Sequence, residues 1–588
     1  MHRTVTSNLG VGKRQQNVSM NAQNTATLRR HSQQMAALEV PSSPRSPGEM
    51  MRRCRRDRWE PARNVLLLLL LACPLALVGH DTAWAQDVSG PLTTDTLWAA
   101  GSGPYHVTGK DLTVAEGATL TIEPGVRVEL DANRSIVIQG QLVARGEVNT
   151  PIVFTGTDSG SGPASWESLI FKDSAVDATY EILDDYLSGS IVSGCVLEYG
   201  QKAIVLESAS PYIAHNLFQH NQTPFIPSPS GGAAISVEKG SVPRIFANEF
   251  ADNHADGFAY GGAIYVLEAD PIIQDNLFHG NTAIYGGALG AEIIASPIVG
   301  NRFEGNEATG TDGGAASLVS STSAFLNNTL IGNTAAADGG GLHVCTTCFP
   351  HSNPFVLDNT IVDNVSTSTE PSEHAGGVGA AYLRAFSNNN LHGNTRDGQP
   401  SDFGWFHLLS EGYPEWAQNI DLTGNYWATT DTSALEATLY DGADSSLFGT
   451  ATVSSPLPTE VVAAQTRVTL TTRKIRYQDV GDPMPLFLTL YNPGPARSVE
   501  LALIVQYEGS PPTDFLPALA FPGAAQRNGL TLLDLPENSV FFGAVSTSEY
   551  VVASSQSGTW SAALFEPQTG ALIGQLSTIH FELGEAVQ

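Results

Sequence analysis

The chain has 588 residues, 42% of them hydrophobic, with 29 Lys+Arg against 59 Asp+Glu and a formal net charge of −30. Such acidity argues against nucleic acid as a partner, since a phosphate backbone calls for a basic surface. Five cysteines are too few for a disulfide framework to hold a chain of this length, so the fold must rest on burial and hydrogen bonding.

Residues 1–50 are polar and lack apolar periodicity; they read as a disordered tail or as a start assigned too far upstream. Residues 51–85 carry the three parts of a secretory signal peptide: the basic MRRCRRDRWEPARN, the apolar VLLLLLLACPLALVG, and AWA before Gln86. A lipoprotein signal ending at Cys73 and a retained anchor are the competing readings; Pro74 opposes the first and the short apolar run the second. Residues 1–85 hold 12 Lys+Arg and 5 Asp+Glu, leaving 29 − 12 = 17 basic and 59 − 5 = 54 acidic residues, a net charge of −37. The expectation is an exported protein, extracellular or at the cell surface with the periplasm as the alternative, and no transmembrane helix in the mature chain.

From about residue 90, LTVAEGATLTIEPGVRVEL, SIVIQGQLVARG and PIVFTG alternate apolar and polar residues between Gly and Pro turns, as short strands do. A six-residue motif then recurs, as in NLFHGN at 276–281. Its central apolar residues are Phe218, Phe250, Phe278, Phe303, Leu330, Ile361 and Leu391, at intervals of 32, 28, 25, 27, 31 and 30. Asn216, Asn248, Asn276, Asn301, Asn328, Asn359 and Asn389 stand two residues before them, and Asn221, Asn253, Asn281, Asn306, Asn333, Asn364 and Asn394 three residues after. A flanking repeat at Leu422 retains only the second, Asn425. Gly-Gly pairs interleave at 231, 261, 286, 313, 340 and 376.

A period of 25–32 residues marks a repeat architecture, and the segments are too short and too rich in Gly, Asn and β-branched residues for helical repeats. The pattern predicts an all-β parallel β-helix over 86–453, each turn giving three short strands and stacking on the last. Asparagine tolerates the left-handed conformation of a sharp turn, and its amide can bond to the amide one rung away. Gly-Gly marks a second corner where a Cβ would clash. Trp427 and Tyr426, near the end of the coil, suit a cap. Residues 454–466 read as a linker. From 467 to 588, RVTLTT, LFLTLYN, ELALIVQY, SEYVVAS, GTWSAALFEP and LIGQLSTIHFEL have the spacing of a small β-sandwich, with Trp560 expected in its core.

LTVAEGATLTIEPGVRV, SGSIVSGCVLEYG, the asparagine motif and NYWATTD resemble bacterial exported right-handed parallel β-helix proteins of the pectin-lyase-like superfamily. The Gly-Gly-Ala-Ile and Phe-x-x-Asn grammar is similar to the repeats of polymorphic outer-membrane proteins, although no barrel-sized segment follows the coil. The C-terminal strands resemble immunoglobulin-like modules. The likeness implies the fold and leaves open whether the protein binds, hydrolyses, cleaves or epimerises polysaccharide.

Loops between the second asparagine and the next Gly-Gly vary in length, and should stack on one flank carrying Phe258, Tyr260, Tyr285, Glu307, Asp312, Asp338, Glu373 and His374, alongside Phe225 and Asp256. Aromatic faces and carboxylates suit a neutral polysaccharide or cell-surface glycan. A solvated acidic flank is the plainer reading. The expectation is a non-catalytic, adhesin-like binding protein, with a polysaccharide hydrolase, lyase or epimerase as the alternative. Carboxylate pairs are unspecific here, and Arg302 is the only basic residue between 245 and 383, a poor setting for polyuronate cleavage. No cofactor is expected; calcium is the one ion the carboxylates leave open. Cys345 and Cys348, in a local insertion flanked by His343 and His351, suit a disulfide in an oxidising compartment, with a four-ligand zinc site as the rarer reading.

Overall fold

The computed structural model describes residues 85–157, 164–180, 186–344, 353–370, 375–406, 419–472, 476–477, 486–507, 513–514, 526–527, 530–545 and 558–583. The leader, Cys345, Cys348, His351, Glu373, His374 and SEYVVAS lie outside the described residues, as does the side chain of Phe225. No described helix is long and apolar enough to cross a membrane.

The chain winds into a parallel β-helix. In the turn that holds NLFHGN, strands run at Ile272–Gln274, Leu277–His279, Thr282–Ala283 and Leu289–Glu292. Each pairs in parallel with its equivalent one turn on, so four faces form. The sequence predicted three strands per turn. The extra one arises because the two asparagines mark two corners, with a two-residue strand after the second. First-face strands pair in unbroken order from Thr96–Trp98 to Ala385–Ser387. At the N-terminal end, Gln86–Leu92 already pairs with Tyr105–Val114.

On the second face, Phe218, Phe250, Phe278 and Phe303 are in register and fully buried, with ring centroids 4.9, 4.7 and 4.6 Å apart and planes within 10°. Leu330, Ile361 and Leu391 continue the file. The spacing is that of the strands themselves, so the column forms wherever one rung stacks on another.

The asparagines form two hydrogen-bonded files. The Nδ2 of Asn276 donates to Oδ1 of Asn301 at 3.0 Å and to the Ile245 carbonyl at 2.9 Å, while the Asn276 backbone N–H donates to the same Oδ1 at 3.0 Å. Asn301 repeats this toward Asn328. Each amide thus uses both donors and accepts two bonds, which satisfies it fully inside the coil. The second file runs likewise from Asn221 through Asn253, Asn281, Asn306, Asn333 and Asn364 to Asn394.

Two expectations are corrected here. The ladder asparagines are not themselves left-handed; the residue before each one is, among them His215, Asp275, Asn327 and Asp358 in the first file and His220, Asp252 and Asp363 in the second. That residue makes the turn, which leaves the following N–H aimed along the stack. Asn425 also belongs to the first file, accepting from Asn389 at 3.0 Å. Trp427 is buried in the core, one residue beyond the pairing of Tyr426 with Asn390.

The Gly-Gly corners are tight for the expected reason. A Cβ on Gly287 would lie 2.2 Å from the carbonyl oxygen of Gly314, and one on Gly314 would lie 2.1 Å from that of Gly340.

At the C-terminal end, Arg467–Thr472, Leu486–Asn492 and Ser539–Val545 form one antiparallel sheet. Arg497–Tyr507 pairs with Leu530–Leu535 and Gly558–Phe565 in another, to which Leu572–Leu583 adds. The strands at 530–535 and 539–545 were not read from the sequence. The two sheets share an apolar cluster that includes Leu470, Leu488, Leu501 and Trp560. This module lies against the outside of the coil's first face. Tyr491, Val540 and Ala464 pack with Ile272, Val299, Leu326 and Phe355, and Arg467 makes a two-pronged bond to Asp358 at 2.8 and 2.9 Å. The 454–466 linker is tied to the coil, with Val461 N–H donating to Asn390 Oδ1 at 2.7 Å.

Candidate functional site

The corner between the third and fourth faces gathers some of the predicted binding residues and scatters others. Tyr260 and Tyr285 each precede a left-handed glycine, Gly261 and Gly286. Because equivalent positions stack, their rings lie parallel, 4.4 Å apart at 12°, and both are half-buried. Tyr265, on the fourth face, lies 6.0 Å from Tyr260 and donates its hydroxyl to Glu292 at 3.2 Å. Gly290 makes this approach feasible: a Cβ there would lie 2.6 Å from that of Tyr260. Burial, with Glu292, Tyr285 and Asp312 nearby, pushes the Tyr260 hydroxyl up to about 12. Burial also raises the Glu292 carboxyl above its ordinary range, against the bond from Tyr265.

Asp312 and Asp338 continue the file beyond the tyrosines, but much of their bonding goes to the scaffold. Asp312 Oδ1 accepts from the Asp338 N–H at 2.8 Å, and Asp338 Oδ1 from the Ala375 N–H at 3.0 Å. The other Asp312 oxygen lies 3.7 Å from Nε2 of His343, whose Nδ1 is 3.2 Å from the Ser317 hydroxyl. These residue types could form a nucleophile relay. Here Ser317 is fully enclosed and burial lowers the His343 pKa, while Asp312 raises it. The group is a packed file rather than an open nucleophile.

Glu307 is exposed on the third face, in register with Thr282 and Thr334. Phe258 is 58% exposed in the long third-face strand His254–Tyr260. Sequence reasoning missed Tyr265 and Glu292 as site residues, and took up His343 only as a flank of a zinc site, because all three sit on fourth-face strands that read as core. The signal was present: in AIYV the residue between Ile264 and Val266 must point outward. Among the described residues no three His, Cys, Asp or Glu side chains are grouped to hold a metal ion.

Comparison with known proteins agrees with this architecture. Residues 228–396 match the family model for a right-handed beta helix region, and residues 90–181 that for a pectate-lyase-like beta helix domain. The coil is therefore a right-handed parallel β-helix. A stretch of 64 residues is 42% identical to Protein bark beetle of Drosophila melanogaster, covering 11% of this chain and 2% of that protein. No solved structure gave a significant match.

Proposed function

We propose that this is an exported, non-catalytic β-helix protein that binds neutral carbohydrate along the third-face corner, as adhesin-like surface proteins do. The reading takes it as a bacterial protein, with the C-terminal sheets as an immunoglobulin-like accessory module. The observation that carries the proposal is the half-exposed Tyr260–Tyr285 stack. Rings held rigid by the coil offer apolar faces and hydroxyls at little entropic cost, and Glu292 supplies a nearby acceptor. The acidity of the chain favours a neutral glycan over an anionic one. A glycan array probed with the full chain and with Tyr260→Ala/Tyr285→Ala tests it. Binding by the wild type that the variant loses is expected; no binding to any glycan overturns it.

One observation favours an enzyme instead. The Glu292 carboxyl, bonded to the Tyr265 hydroxyl at the foot of the tyrosine stack, is raised by burial, as that of a general acid would be. Release of reducing ends from a neutral polysaccharide, abolished by Glu292→Gln, would establish that reading, and stability of all substrates tested would remove it.

A further inference from the structure

Left-handed positions at the second asparagine corner are filled by glycine in Gly280, Gly305, Gly332 and Gly393. In three consecutive earlier rungs they are filled by Tyr199, His220 and Asp252, with φ of 62, 54 and 52°; Asp363 is the other exception. A bulky residue such as tyrosine is unfavourable in this conformation, and nothing in the ladder requires it, since glycine serves elsewhere. All three side chains line a single open cavity of about 270 Å³, completed by Asn221, Gln222 and His254. The Tyr199 and His220 rings are stacked, 5.7 Å apart at 19°. Asp256 holds the other side rigid, accepting from Gln222 Nε2 at 2.6 Å and bonding His254 Nε2 at 2.7 Å.

We propose that this cavity is a saccharide subsite, where one neutral sugar ring lies against Tyr199 and His220 and its hydroxyls bond Asp252 and Gln222. No Lys or Arg lines it, so an anionic ligand finds no partner. Its size admits about one ring. The strand His254–Tyr260 runs from the cavity to the tyrosine stack, about 20 Å in extended geometry, with exposed Phe258 between. One oligosaccharide could therefore span both ends of the third face. The inference rests on the carbohydrate-binding reading and adds a second contact point to it.

The test uses substitutions that restore what other rungs carry. His220→Gly/Asp252→Gly in the full chain should keep or raise the thermal midpoint. Titration calorimetry with cello-, xylo-, manno- and chito-hexaose should show at least tenfold weaker binding than wild type for the hexaose that binds. Tyr260→Ala/Tyr285→Ala is titrated in parallel. A hexaose that binds both wild type and the glycine variant equally, yet fails with the tyrosine variant, overturns the subsite and leaves the function standing. If no hexaose binds the wild type, the subsite falls, while the carbohydrate-binding reading stands or falls by the glycan array.

Discussion

Asn394 hands its side-chain amide to Asp402 instead of to another asparagine, with Nδ2 2.9 Å and the backbone N–H 3.2 Å from the same carboxylate oxygen. Along the stack each member donates its backbone N–H and one Nδ2 hydrogen to the next, while the other Nδ2 hydrogen goes back to a carbonyl such as that of Ile361, so the last member needs to accept but not to donate along the stack. A carboxylate meets that need, and it can stand nowhere else in the file.

That position makes the protein's stability depend on pH. Burial holds the Asp402 carboxyl above its ordinary value of 3.8, against the bonds from Asn394 and Thr438. A raised acid contributes stability that is complete below the unfolded value and is lost as pH rises through the folded one. Asp402→Asn removes this loss. Calorimetric scans should show the variant gaining on wild type as pH rises above the ordinary carboxylate value; a gap independent of pH would contradict this.

Removing a rung from the middle of a file should cost far more than a surface change. Asn301→Ala leaves the N–H and one Nδ2 hydrogen of Asn276 without an acceptor and takes the Asn301 donor from the Ile273 carbonyl. At roughly 1–3 kcal/mol per stranded buried group, about 3–5 kcal/mol should be lost. Denaturant unfolding measures it.

Two glycine substitutions of similar chemistry should part sharply. Gly287→Ala drives a Cβ into the Gly314 carbonyl at 2.2 Å and should cost more than about 3 kcal/mol or prevent folding. Gly305 is left-handed at φ +59° with open space around it, so Gly305→Asn should cost about 1 kcal/mol or less. Thermal midpoints of the two variants decide the point.

The module on the first face should depend on one ion pair. Arg467 and Asp358 have side chains only 3% and 0% exposed, and among the described residues Arg467 Nη1 has no hydrogen-bond partner. Arg467→Met strands the buried carboxylate and should cost about 3–5 kcal/mol, whereas Asp358→Asn/Arg467→Met should recover most of it. Equilibrium unfolding, with limited proteolysis between 453 and 466 to detect undocking, reads both effects.

The sequence by itself determined the coil, its period, the phenylalanine column, the two asparagine files and the Gly-Gly corners. It could do so because a stacked repeat imposes the same local demand on every turn, and a demand repeated seven times is visible as spacing. Tertiary structure alone decided which residue of each corner is left-handed, since Asp275 and Asn276 both suit that conformation and only the direction of the N–H separates them. It also decided that Asp402 closes a file, that Arg467 finds Asp358 across 109 positions, and that Tyr199, His220 and Asp252 share a cavity. Those relationships each occur once. A contact made once between distant residues leaves no periodic trace in the chain.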